Sequence, residues 1–171
     1  MKAMKLPDAA FMQECLDLAR KGRGRVSPNP LVGAVIVRNG RIVGKGYHRH
    51  FGGPHAEVEA IRSCRTPPRG GTLYVNLEPC CHEGKTPPCT GLIESSGISR
   101  VVIGMKDPNP LVSGKGIRRL RRSEIRVESG VLREACERLN APFVKPVTTG
   151  LPLVTLKIAQ TVDGMIADRA G

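Results

Sequence analysis

The stretch TLYVNLEPCCHEGKTPPCTGLIESSG, residues 72 to 97, decides the fold. Its opening, TLYVNLEP, is an apolar run with no charge before Glu78, the pattern of a strand buried on both faces. Its end, PPCTGLIESSG, has prolines where a helix starts and Gly97 where it stops. A buried strand leading directly to a helix is the building unit of an α/β sheet. Between the two, EPCCHEGKTPPC (78–89) packs three cysteines and a histidine, all potential metal ligands, into twelve residues. Adjacent side chains at a strand end point to opposite sides, so Cys80 and Cys81 are not expected to share one ion.

Upstream, Phe11, Cys15 and Leu18 form a helical stripe over Asp8 to Arg20, ended by Gly22 and Gly24. LVGAVIVRNGRIVGKGYH (31–48) gives two β runs around Asn39-Gly40, a strong hairpin signal. HAEVEAIRSC (55–64) reads as a helix beginning near His55, because Gly52, Gly53 and Pro54 forbid helix before it. Downstream, SRVVIGM (99–105) is a second buried strand and EIRVESG (124–130) a short one, while VLREACERLNAPFV (131–144) reads as one helix. After the hairpin, strands alternate with helices, which predicts a mostly parallel sheet with helices on both faces. Ligands in such sheets sit at the carboxyl ends of strands, where the cysteine cluster and KDPNP (106–110) both fall. The tail is different. PLVTLKIA (152–159) reads as a strand that starts something new, with too little chain after it to fold a second unit.

With 171 residues, 40% hydrophobic and 25% charged, the chain suits one α/β domain with an aliphatic core. Aromatics at 3% leave few platforms for stacking single-stranded bases. No run approaches the ~20 apolar residues of a membrane span. The basic N-terminus has no long apolar region or cleavage site, so it reads as an amphipathic helix and not a signal peptide. Six cysteines, three of them clustered, suggest reduced thiols with a metal site and a cytoplasmic location. The net charge of +12 points to an anionic partner or to nothing specific. Much of it lies in GKGIRRLRRSEIR (114–126), where Ile117 and Leu120 at helical spacing suggest a helix with a solvated arginine face.

A catalytic zinc needs three protein ligands and an open position for water, whereas a structural zinc is closed by four. Cys80, Cys81, His82 and Cys89 are the local candidates, and His55 with Glu57 two residues on could complete a set from elsewhere. Cys89 and His55 stand at helix starts, which favour a thiolate ligand. Glu57 beside the histidine could move a proton from water. Plainer readings stand beside these. In these, His55 is a helix-start residue satisfied by backbone, and Glu57 and Glu59 complement the helix dipole, with Glu59 pairing Arg62. Cys15, Cys64 and Cys136 fit helix core positions.

Zinc deaminases of nucleobases carry the pattern H-x-E…P-C-x-x-C, in which the glutamate is acid/base and not ligand. This chain has His55-Ala56-Glu57 and Pro79-Cys80 but no C-x-x-C. PCCHEGKTPPC (79–89) instead resembles the deaminase half of the bifunctional riboflavin-biosynthesis deaminase/reductases. So, in order, do SPNPLVGAVIV (27–37), GYH (46–48), DPNP (107–110), GKGI (114–117) and GVL…LN (130–140). The resemblance runs from about residue 8 to the end of the chain.

It implies a three-layer α/β/α sandwich of the cytidine-deaminase type, with a mixed sheet of about five strands. It implies one catalytic Zn²⁺ on His55, Cys80 and Cys89, with Glu57 as proton shuttle and Cys81 as a bystander where the family commonly has Ser. Substrate contacts would be Asn29, His48, Ala56, His82, Lys85, Thr86, Asp107 and Asn109. Plain turn formation by Asn29 and Asn109, and a solvated loop charge at Lys85, are the simpler alternatives. The implied reaction is hydrolytic deamination of the phosphorylated pyrimidine 2,5-diamino-6-(5-phosphoribosylamino)pyrimidin-4-one. Residues 1–147 would be the deaminase domain, and 148–171 a linker with the opening strand of a reductase domain. NADPH is not expected on this chain, a separate reductase could act on the product, and a homo-oligomer is expected from the family. The rival readings are a tRNA or nucleotide base deaminase, prompted by the +12 charge, and a zinc-stabilised nucleic-acid-binding module with a closed metal site. The loop spacing argues against nucleic acid.

Overall fold

The computed structural model describes residues 7–81, 87–110 and 112–166. Helix α1 (Asp8–Arg20) precedes a hairpin of β1 (Gly33–Arg38) and β2 (Arg41–Tyr47). There follow α2 (Ala56–Arg62), β3 (Thr72–Leu77), α3 (Cys89–Ser95), β4 (Arg100–Met105), α4 (Lys115–Arg122), β5 (Arg126–Ser129), α5 (Arg133–Leu139) and α6 (Ala141–Thr149). The hairpin turns at Asn39-Gly40, both with positive φ (52° and 73°), as the expected two-residue turn requires.

The five strands lie in the order β2-β1-β3-β4-β5. β1 is antiparallel to both neighbours, while β3, β4 and β5 run parallel. Four of the five strands thus point the same way, as the alternation of strands and helices suggested, and the reversed β1 makes the sheet mixed, as the resemblance implied. The reason is an insertion. β2 and β3 do run the same way, as a strand–helix–strand unit should, but β1 sits between them and pairs antiparallel with each.

Alternate strand residues feed two cores. Val35, Tyr74 and Val102 face α1 and α5 through Phe11, Leu16 and Cys136. Ile36, Leu73 and Ile103 face α2, α3 and α4 through Ala60, Ile93 and Leu120. Helices on both faces of one sheet make the α/β/α sandwich. At the start of β4, the Arg100 guanidinium bonds both Asp8 oxygens (3.0 and 2.6 Å) and both Glu128 oxygens (3.2 and 2.9 Å), tying α1 to β5.

Four expectations need correcting. The helix read over 131–144 is two helices broken at Asn140, whose side chain leaves the helical path to bond the Leu31 backbone; Pro142 then opens α6. PLVTLKIA forms no strand: residues 151–161 have neither helix nor strand, and Val154, Leu156 and Ile158 are exposed, with no sheet neighbour among the described residues to satisfy the backbone. Glu59 pairs with Arg49 at 3.1 Å and not with Arg62. Cys64 lies beyond the end of α2 and is only half-buried, its thiol donating to the Ala60 carbonyl. Cys15 and Cys136 are buried as core residues. Among the described residues no helix is long and apolar enough to cross a membrane.

Candidate active site

The carboxyl ends of β3 and β4 open toward the first turns of α2 and α3, and the polar residues singled out in the sequence gather there. Cys80 follows the end of β3, His55 is the N-cap residue of α2, and Cys89 is the first residue of α3. Their ligand atoms all lie within 4.8 Å of one another. The His55 Nδ1 is 3.2 Å from Cys89 Sγ and 3.6 Å from Cys80 Sγ, and the Cys89 backbone N–H donates to Cys80 Sγ at 3.3 Å. In tetrahedral zinc the bond lengths put neighbouring N and S ligands roughly 3.6 Å apart. The two His–Cys separations lie at or just under that value, and all three donors are within 4.8 Å of one another, a set suited to one zinc ion. Cys81 is half-buried and takes no part in the cluster.

The two thiols behave as a pair, with shifts of opposite sign. The hydrogen bond from the Cys89 thiol, helped by His55, pulls Cys80 down, whereas the same bond and burial push Cys89 up. A divalent cation between the two sulfurs would favour the ionised form of both. His55 is raised, first by its hydrogen bond to Cys80.

Glu57 lies in the first turn of α2 and is 4% exposed. Burial raises its carboxyl to about 6, so it can both take and return a proton near neutrality. Beside it opens a cavity of about 240 Å³, whose wall includes His55, Glu57 and Cys80. That is below the ~300–1,000 Å³ of sites for drug-sized ligands and suits a single heterocyclic ring.

The other walls carry the expected reading groups. His48 is buried, and its Nδ1 faces the Pro54 carbonyl at 3.0 Å, which can only accept. That nitrogen therefore carries the proton, and Nε2 accepts from the Asn29 amide at 3.1 Å. Burial lowers the His48 pKa, which favours the neutral ring. Asp107 accepts the Asn109 backbone N–H at 2.8 Å, a turn that places both on the cavity wall. Ala56 is fully buried and lines the cavity at the start of α2. His82, Lys85 and Thr86 lie outside the described residues.

Sequence reasoning missed the groups that hold these walls. The Asn76 amide takes the Gly33 N–H at 2.8 Å and gives to the Leu31 carbonyl at 2.9 Å. Asn140 takes the Leu31 N–H at 2.7 Å and gives to the same carbonyl at 3.0 Å. Together they fix the segment that follows Asn29. A lone polar residue in an apolar strand must find partners, so Asn76 had a signal. Asn140 and Phe143, which also lines the cavity, had none at this range.

A His–Cys–Cys metal set with a glutamate that is not a ligand is the arrangement of the zinc-dependent nucleobase deaminases, and the geometry here is of that class. The family model for the cytidine and deoxycytidylate deaminase zinc-binding region matches residues 6–105, and the chain belongs to this family. It is 52% identical over 161 residues to the riboflavin biosynthesis protein RibD of Bacillus amyloliquefaciens, covering 94% of this chain and 43% of that protein. The chain thus spans less than half the length of that relative. The diaminohydroxyphosphoribosylaminopyrimidine deaminase/5-amino-6-(5-phosphoribosylamino)uracil reductase of Thermotoga maritima matches at TM-score 0.92 and 53% identity, over 96% of this chain and 48% of that one. The Aspergillus oryzae Rib2 deaminase in complex with DARIPP matches at TM-score 0.64 and 26% identity, over 82% of this chain and 93% of that one.

Proposed function

We propose that the chain catalyses hydrolytic deamination of 2,5-diamino-6-(5-phosphoribosylamino)pyrimidin-4-one to 5-amino-6-(5-phosphoribosylamino)uracil, a step of riboflavin biosynthesis. The observation that carries this reading is the three-donor cluster set in the wall of a ring-sized cavity beside a buried, proton-poised glutamate. His55, Cys80 and Cys89 would hold one zinc ion, whose Lewis acidity lets water act as a nucleophile at neutral pH.

The chain's own residues do the rest. Glu57 accepts a proton from the attacking water and returns it to the departing nitrogen, so water and substrate become product and ammonia with Glu57 unchanged. The glutamate is 4% exposed and faces the cavity, where the water and the ring meet. Asn29, held by His48, and the Asp107–Asn109 turn read the edge of the ring by hydrogen bonds. His82, Lys85 and Thr86 are assigned to the substrate on the strength of the sequence resemblance, Lys85 to its phosphate. The reaction is redox-neutral and calls for no NADPH.

We assign residues 1–147 to this domain and the tail from 148 to a connection toward a reductase domain, as the deaminase/reductase relative suggests. Assembly into a homo-oligomer and a cytoplasmic location, where six unpaired thiols would persist, belong to the same reading. The test is direct: pure protein is incubated with the diaminopyrimidinone nucleotide, with and without a chelator, and ammonia is measured. A reductase and NADPH are then added to consume the product. Ammonia released from a polynucleotide and not from the nucleotide would move the assignment to a nucleic-acid deaminase.

A further inference from the structure

Glu78 is a buried side chain that lines the same cavity, yet the proposed reaction gives it no role. It directly follows β3, is 3% exposed, and lies two residues before Cys80. Its Oε2 accepts the Gly114 N–H at 2.9 Å and the Asp107 N–H at 3.3 Å, and its Oε1 accepts the Ile117 N–H at 3.1 Å. All three donors belong to the connection from β4 into the first turn of α4. Gly114 is the N-cap residue of that helix, at φ 71°, with no side chain to offer. Glu78 supplies the missing cap from another strand, taking the N–H of the cap residue and of the third helical residue. Those are the two donors that a capping box satisfies locally.

The connection so held carries Asp107, Asn109 and Val112 on the cavity wall. Contact on the other side is equally close. A Cβ on Gly116 would lie 2.2 Å from the Pro79 carbonyl oxygen and 3.2 Å from Glu78 Oε1, so α4 is seated directly against the backbone that leads to Cys80. Glu78 therefore joins the strand end that leads to Cys80 to the turn that bears Asp107 and Asn109.

We propose that Glu78 is a positioning residue: it fixes Asp107 and Asn109 at a set distance from the His55–Cys80–Cys89 cluster, and so governs substrate binding. This rests on the function proposed above. A carboxylate is needed because it has two acceptor oxygens and no donor. A glutamine of the same shape turns an N–H₂ toward one of the three backbone donors and leaves it unmatched.

The experiment is Glu78→Gln, read by zinc content, by kcat and KM for the diaminopyrimidinone nucleotide, and by amide hydrogen exchange at Gly114 and Ile117. Zinc content stays at the wild-type level, KM rises by about 10- to 100-fold, as for a small misplacement of binding groups, kcat changes less than KM, and both amides exchange faster. Unchanged KM with faster exchange overturns the proposal, and so does a loss traced wholly to missing zinc. Should Glu78→Gln fail to fold, Gly116→Ala pushes α4 off Pro79 while keeping the carboxylate. It raises KM in the same way, and a wild-type KM there contradicts the proposal. Amide exchange in the wild-type protein separates this idea from the function it rests on. Fast exchange at both positions refutes the cap outright, whereas protected amides with no ammonia from the nucleotide refute the assigned substrate instead.

Discussion

The Nδ1 of His55 stands 3.2 Å from the Sγ of Cys89, across 34 positions of sequence, because α2 and α3 begin side by side at the end of β3. That closeness makes the cluster a property of the fold and not of one loop. Substituting Cys80, Cys89 or His55 by alanine therefore removes zinc, weakening its binding by more than the ~10–100-fold seen when only a supporting group is lost. Cys81→Ser keeps both metal and activity, since its thiol is outside the cluster. Metal analysis of the purified variants distinguishes the two groups.

Glu57→Gln separates the metal from the proton transfer. The amide is isosteric, so the fold and zinc remain, while activity falls by at least ~10²-fold, the lower end of what general acid/base help contributes. Turnover near the wild-type rate in the zinc-loaded variant would remove Glu57 from the mechanism.

Asn29→Ala leaves His48 without the partner on its Nε2, and leaves the ring edge without one reader. The expected effect is a KM raised by roughly 10-fold, the value of one good hydrogen bond at ~1.4 kcal/mol, with zinc content unchanged. Equal losses in zinc and activity would place Asn29 in the support of the metal instead.

Arg100 is far from the site and tests stability alone. Arg100→Met takes one partner from Asp8, which keeps the Tyr74 hydroxyl, and one from Glu128, which keeps Arg126; both side chains are about one-third exposed, so the cost is about 1 kcal/mol and a Tm lower by ~2–4 °C. The Arg100 hydrogen bonds hold Glu128 below its ordinary carboxyl range. A carboxylate lowered on folding adds stability above its unfolded pKa and loses it as pH falls through the folded one. The Tm gap between wild type and variant is thus full at neutral pH and narrows on acidification below about 4.5. Thermal melts across pH 3 to 8 check the sign.

The legibility of the molecule in its sequence divides by range. Asn39-Gly40, the glycines before His55 and the prolines before Cys89 are local signals, and the elements they bound appear where expected. His55, Glu57, Cys80 and Cys89 stood out as candidates at strand ends and helix starts, but it was the resemblance, not local structure, that chose them over Cys81 and His82. The place of β1 between β2 and β3 was not readable, since alternation encodes direction and not neighbour order. Nor was the break at Asn140: its cause is the Leu31 backbone, 109 residues away. Glu78 showed only as the last residue of a strand, because the three N–H groups that define it come from a later connection. The apolar alternation after Pro152 carries strand propensity, but propensity alone does not pair a backbone.

The central claim is tested most directly by ammonia release from 2,5-diamino-6-(5-phosphoribosylamino)pyrimidin-4-one by protein of known zinc content. The account predicts turnover in proportion to bound zinc, abolished by a chelator and restored by Zn²⁺. Ammonia release that does not change when the zinc is stripped, or none from fully zinc-loaded protein, would contradict it.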